Sequence, residues 1–231
     1  EISECLVGSE MCIRDSPCVV PARLDDGTVA YINLFSQKAF KYESGKQAQI
    51  EVVQLFLGAE KIWAGSYATL TGEKSHLQLD VGYYREKQQL LDMNYVAQHI
   101  GKKTESNMNV GGVLQDASKK VFRGTIDFPL GCVGAKGDEM EDVLILGEDA
   151  INQTVPLILC AEDDVEGNHG ASIGRPADEV LFYLASRGLS EEDACNLLAR
   201  AKLEALCNRI GEQKIAEQAE NWLWEVTGDE T

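Results

Sequence analysis

"HLQLDVGYYREKQQLLDMNYVAQ", residues 76–98, decides the fold. In its first half Leu77, Leu79, Val81 and Tyr83 alternate with Gln78, Asp80 and Gly82. In its second half Leu91, Met93 and Tyr95 alternate with Asp92 and Asn94. A period of two is the mark of a half-buried strand. The two halves need a turn between them, near Glu86, although no Gly or Pro marks it. Similar segments lie on either side: "QIEVVQLFL" (49–57), "KVFRGTIDF" (120–128), "DVLILG" (142–147) and "TVPLILC" (154–160). Gly58, Gly72, Gly101, Asp116, Gly131, Gly147 and Asp163 punctuate them, so a turn falls roughly every 15 residues. A steady beat of short strands without intervening helices predicts a sandwich, a barrel or a β-solenoid. Periodicity alone does not choose among them.

The pattern changes after Gly174. Pro176 suits the first turn of a helix and Gly188 its end, with Val180, Leu181 and Leu184 on one face. Ser190 caps a second helix, whose start carries Glu191, Glu192 and Asp193 near its positive end. Its apolar side is expected to hold Ala194, Leu197, Leu198, Ala201, Ala205 and Leu206. A third helix carries Ile215, Ala219, Trp222, Leu223 and Val226. The chain thus reads as a β body over residues 17–174 followed by a small helical domain over 175–231.

Residues 1–16 stand apart. "CLVGSEMCIRDS" (5–16) lacks the basic start and apolar centre of a secretory signal, and it back-translates to a transposon-type sequencing adapter read in frame. It is therefore expected to be a non-structural scar, with native sequence continuing upstream.

Bulk properties exclude several classes. The chain has 231 residues, enough for a sizeable core. Its formal net charge is −17, which repels phosphate backbones and anionic lipid; neither nucleic acid nor a membrane surface is an expected partner. No apolar run reaches the ~18 residues of a membrane span. Seven cysteines without C-x-x-C or a dense framework suggest reduced thiols and a cytoplasmic setting.

Catalytic motifs fail on inspection. Gly170-Ala171-Ser172-Ile173-Gly174 matches G-x-S-x-G, but a nucleophile elbow needs a strand ending at the Ser and a helix just after it. His76, His99 and His169 all precede Ser172, the reverse of the α/β-hydrolase order. The two glycines are more simply turn residues where the β body meets the helices. Neither "SGKQ" nor "IGKK" has the upstream Gly of a P-loop, so any ATP-driven step must come from another protein. Cys195 and Cys207 read as small apolar residues on a helix. Trp222 and Trp224, two apart, cannot share a helical face; one is expected in the core and the other available to a partner.

"DDVEGNHGASIGRPADEVLFYLASRGLSEEDA" (163–194) resembles the signature of the SufB/SufD family, scaffold subunits of iron–sulfur cluster assembly. "FRGTIDF" and "DVLILGEDAINQTVPLIL" resemble the strands before it. The resemblance implies a mainly β chain: a right-handed parallel β-helix followed by a small C-terminal helical domain. It implies a non-enzymatic scaffold that pairs with a SufB-type subunit, or a second copy of itself, and docks a SufC-type ABC ATPase. No cofactor is expected to stay bound; a transient iron–sulfur cluster at the subunit interface is. The SufB-type cysteine before "TVP" corresponds here to Ala150, whereas the SufD-type histidine is present as His169, so a SufD-like subunit is expected. "GCVGAKGDEMED" (131–142) departs from the family pattern and leaves open a branch in which one protein serves both roles.

Candidate cluster-assembly residues are His169, also a candidate metal ligand, and Cys160 at a strand end. Leu198, Trp222 and Trp224 are candidates for partner docking, because three short helices cannot bury all their apolar faces among themselves. Capping the open end of the β body is the plainer use of those faces. Two rivals stand beside this reading. One is a β-helix enzyme acting on polysaccharide, which a degradation assay would reveal. The other is a purely structural β-solenoid, which would not support cluster reconstitution.

Overall fold

The strands predicted from the two-residue period are present, and their pairing settles what the period left open. In the computed structural model residues 46–210 and 213–227 are described, together with the backbone of Val19–Arg23 (β1), Val29–Asn33 (β2) and Phe40–Ser44 (β3). Residues 1–16 lie outside the described part. The further strands are Gln49–Leu57 (β4), Lys61–Leu70 (β5), His76–Arg85 (β6), Leu90–His99 (β7), Glu105–Leu114 (β8), Lys119–Phe128 (β9), Ala135–Ile145 (β10), Ile151–Cys160 (β11) and Val165–Gly174 (β12). They form two sheets, in the orders β12-β10-β8-β6-β4-β1-β2 and β11-β9-β7-β5-β3.

From β3 onward the chain alternates between the sheets, and each strand pairs in parallel with the strand one coil later. Sandwiches and up-and-down barrels pair antiparallel, so this is a parallel β-solenoid. From β4 on, one coil takes 27 to 32 residues, and the sequence beat is therefore half a coil. The turn near Glu86 lies at Lys87, whose φ is 53°. Lys74, Lys103 and Asp116 take the same left-handed conformation at other corners. It costs an ordinary residue about 1 kcal/mol, offset here because the corners bond to one another. Lys74 N–H donates to Lys102 O at 2.9 Å, and Lys87 N–H to the Asp116 carboxylate at 2.7 Å.

Stacked coils turn the two-residue period into interior columns. Val52, Leu79 and Met108 form one column, and Ala64, Met93 and Phe122 face inward from the other sheet. The last coils change character. The first column continues into Glu139 and His169, the second into Thr154. This is why β10 was hidden in sequence: its inward positions are Gly137, Glu139 and Glu141, so "KGDEMED" shows no apolar alternation, and only "DVLILG" at its end reads as a strand.

Three helices follow: Asp178–Ser186 (α1), Glu191–Cys207 (α2) and Gln213–Val226 (α3). Ser190 and Asp193 form a reciprocal capping box at the start of α2. The helices do not close the end of the β body. They fold back onto the outer face of β4, β6 and β8, where Ala199, Leu203, Cys207 and Leu223 pack with Val53, Leu57, Tyr84 and Val113. Gly82 lets α2 come close: a Cβ there would lie 2.3 Å from Leu206 Cδ2. The buried face of α2 is accordingly rotated from the expected one. Ala199, Leu203 and Cys207 are buried, while Leu197, Ala201 and Ala205 are exposed. Lys202 reaches Asp142 at 2.6 Å and Arg209 pairs with the buried Asp80, holding the C-terminal part of α2 to the sheet.

Candidate functional site

The solenoid ends at β11 and β12, and no further coil covers them among the described residues. Both strands are largely exposed along their length. β11 presents Ile151, Val155, Leu157, Ile158 and Leu159 to solvent, and β12 adds Ile173. Each strand also offers one unpaired backbone edge, the usual template for another chain. Exposed apolar side chains therefore lie beside an open edge at this end, the combination by which sheet-adding interfaces are recognised.

His169 lies in the middle of β12, paired with Glu139 of β10. The segment Gly170 to Gly174 is strand rather than turn, which corrects the turn reading of its glycines. The reason is local: Gly170 pairs with Met140, and a Cβ at Gly170 would meet the Met140 sulfur at 2.7 Å. Ser172 is an exposed strand residue, not an elbow, because α1 starts only at Asp178.

Behind His169 lies a polar interior. The His169 Nδ1 atom is 3.5 Å from Glu139 Oε1; the imidazole is 30% exposed and the carboxylate 2%. Burial, reinforced by the nearby Glu141 charge, pushes the Glu139 carboxyl up to about 7. Glu141 is fully enclosed and pairs with Lys120. Lys120 also donates to Thr154 Oγ1 at 3.1 Å, and Thr154 donates to the second Glu141 oxygen at 2.7 Å. Burial lowers the Lys120 pKa. An ion pair of this kind gains little net stability over an apolar pair, but removing one partner is costly.

Cys160 is the last residue of β11 and is exposed; its thiol donates to Glu162 O at 3.2 Å. The structure therefore brings His169 together with Glu139, and places both His169 and Cys160 on the open end. Among the described residues no three His, Cys, Asp or Glu are placed to hold a metal ion. An imidazole and a thiol are donors that iron accepts. Sequence reasoning missed Glu139, Glu141 and Lys120. The signal available was a lysine at an inward position of "KVFRGTIDF" opposite two inward glutamates.

The docking candidates separate by exposure. Trp222 packs against the helix–sheet core, whereas Trp224 is 44% exposed with the Arg200 guanidinium 3.5 Å from its ring. Leu198 is half-buried, and its neighbour Leu197 is the exposed one. The most exposed large apolar residue on the helices is Phe182 at 77%, beside exposed Val180 and Tyr183 on α1. α1 buries no residue fully. Among the described residues no helix is long and apolar enough to cross a membrane.

Comparison with known proteins agrees with this architecture. Residues 29–202 match the family model for "SUF system FeS cluster assembly, SufBD core domain". The chain is 32% identical over 120 residues to the iron-sulfur cluster assembly protein SufD of Bacillus subtilis, covering 52% of this chain and 28% of that protein. It is 27% identical over 178 residues to an iron-sulfur cluster assembly SufBD family protein of Staphylococcus saprophyticus, covering 77% of this chain and 38% of that one. A relative from Staphylococcus aureus is 26% identical over the same length. The matched region spans about a third of these relatives. With three quarters of its length inside the family model and a parallel solenoid carrying C-terminal helices, the chain belongs to the SufB/SufD family of iron–sulfur cluster assembly proteins.

Proposed function

We propose that the chain is the solenoid and helical part of a SufD-like scaffold subunit of a cytoplasmic SUF complex. The observation that carries this reading is His169 on an uncovered terminal strand, flanked by exposed apolar residues of β11. A SufB-type subunit, or a second copy of the chain, adds its own strands to the open edges of β11 and β12. The nascent iron–sulfur cluster is cargo at that junction. His169 supplies a neutral imidazole donor to it, and the partner supplies most of the remaining ligands. The absence of a cysteine at Ala150 favours the SufD-like role over the SufB-like one. A SufC-type ATPase docks on the exposed side of the helices, with Phe182, Tyr183, Leu197 and Trp224 as anchors.

Co-expression with a SufB-type subunit and a SufC-type ATPase tests the reading. Leu157→Asp should lose the SufB-type subunit and keep the ATPase. Phe182→Asp should do the reverse. Both side chains are exposed, so the fold should survive either change. Retention of both partners by both variants would refute the assignment of these surfaces.

A further inference from the structure

We propose that Glu139 is a positioning residue for His169: its buried carboxylate accepts the Nδ1–H of the imidazole and so presents Nε2 as the ring nitrogen free to bind. The proposal rests on the reading of His169 as the working residue of the open end. Five observations lead to it. Glu139 and His169 are direct neighbours in one interior column, with Nδ1 and Oε1 3.5 Å apart. Earlier positions of that column are Val52, Leu79 and Met108, so an apolar side chain fits there. The carboxylate is nevertheless enclosed, and Oε1 has no hydrogen-bond partner. The cation inside this coil is already engaged, because Lys120 is held by Glu141 and Thr154. Finally, the facing strand is cut away to admit the group: a Cβ at Gly124 would lie 2.0 Å from Glu139 Oε2.

An enclosed carboxylate oxygen without a donor is expensive. The imidazole N–H is the donor standing next to it, and a few tenths of an ångström close the bond. A carboxylate behind a histidine fixes the ring's orientation and tautomer and makes the opposite nitrogen more basic. The competing arrangement has a protonated Glu139 donating to Nδ1. That would leave Nε2 carrying the proton and unable to bind iron.

Long-range proton–nitrogen correlation spectra of the nitrogen-15-labelled chain at pH 7.5 distinguish the two, with His169 identified by its loss in His169→Gln. The expected result is a protonated Nδ1 and an unprotonated Nε2. Glu139→Gln keeps a carbonyl acceptor and should keep that tautomer. Glu139→Leu, which restores the apolar column, should abolish the preference and weaken iron binding at the open end about tenfold or more, at an equal or higher melting temperature. An unprotonated Nδ1 in the wild-type spectrum overturns the proposal, as does an unchanged tautomer in Glu139→Leu. The wild-type spectrum decides even if that variant fails to fold. If the tautomer depends on Glu139 but His169→Ala still assembles clusters at full yield, the positioning contact stands and the function assigned to His169 falls.

Discussion

His99 is the histidine that the fold uses for itself. It is fully enclosed, its ring 4.8 Å from Phe128, with Nδ1 2.7 Å from Thr104 Oγ1 and Nε2 2.9 Å from Ser106 Oγ. Thr104 donates its own proton to Gly101 O, so Nδ1 carries the hydrogen and Nε2 accepts from Ser106. Burial pushes the imidazole from 6.5 down to about 4. The folded state therefore resists a proton that the unfolded chain takes up. The stabilising contribution is complete above pH 6.5 and is lost as pH falls toward 4. It amounts to about 3 kcal/mol at most. Urea midpoints of wild type and His99→Gln, compared between pH 7.5 and pH 5, should show a smaller acid loss in the variant. His169 is the opposite case. It is partly exposed and packs only against the terminal coil, so His169→Ala should fold and bind partners but lower cluster yield in anaerobic reconstitution. The sequence alone singled out His169 only through a family motif, because a strand histidine beside glycines carries no chemical signature. Glu139 was illegible for a different reason: its meaning comes from register with residues 30 and more positions away.

Elements were legible where period and burial coincide. β7 alternates cleanly because it has one face inside the solenoid, whereas β6 does so only as far as Leu79, beyond which the helices cover its outer face as well. α2 was legible as a helix but not in its orientation. Its sequence offers leucines at 197, 198, 203 and 206, and choosing among them requires knowing that the outer face of β6 lacks a side chain at Gly82. Gly82→Val should push against Leu206 and Leu55 and tilt α2 off the sheet. The clash involves flexible leucine ends rather than backbone, so a cost of about 1–3 kcal/mol is expected, read as a lower melting temperature. Ser190→Ala removes the hydroxyl that accepts from Asp193 N–H, leaving the Asp193 carboxylate to accept from the backbone N–H of residue 190, and should cost about 1 kcal/mol in the same measurement.

At the scale of the whole molecule, the helices and the solenoid share one apolar contact, which changes how the proposed docking surface can be tested. Removing residues 176–231 would bare Val53, Leu57, Tyr84 and Val113. The truncated chain should therefore be destabilised, and its failure to bind an ATPase would say little; Phe182→Asp asks the same question of an intact protein. The coils themselves stack in one dimension, each touching only its neighbours, so local stability is set coil by coil. Strands β6 to β9 enclose Leu79, Leu91, Met93, Met108 and Phe122, while β10 turns Glu139 and Glu141 inward, and Thr154 of the uncovered β11 is only half-buried. The solenoid should consequently be stiff at its centre and soft at the end that carries His169. Amide hydrogen exchange of the isolated chain should be slowest in β6 to β8 and fastest in β11 and β12. A partner that completed the edge would slow exchange from minutes toward hours in those two strands and leave the rest of the molecule unchanged.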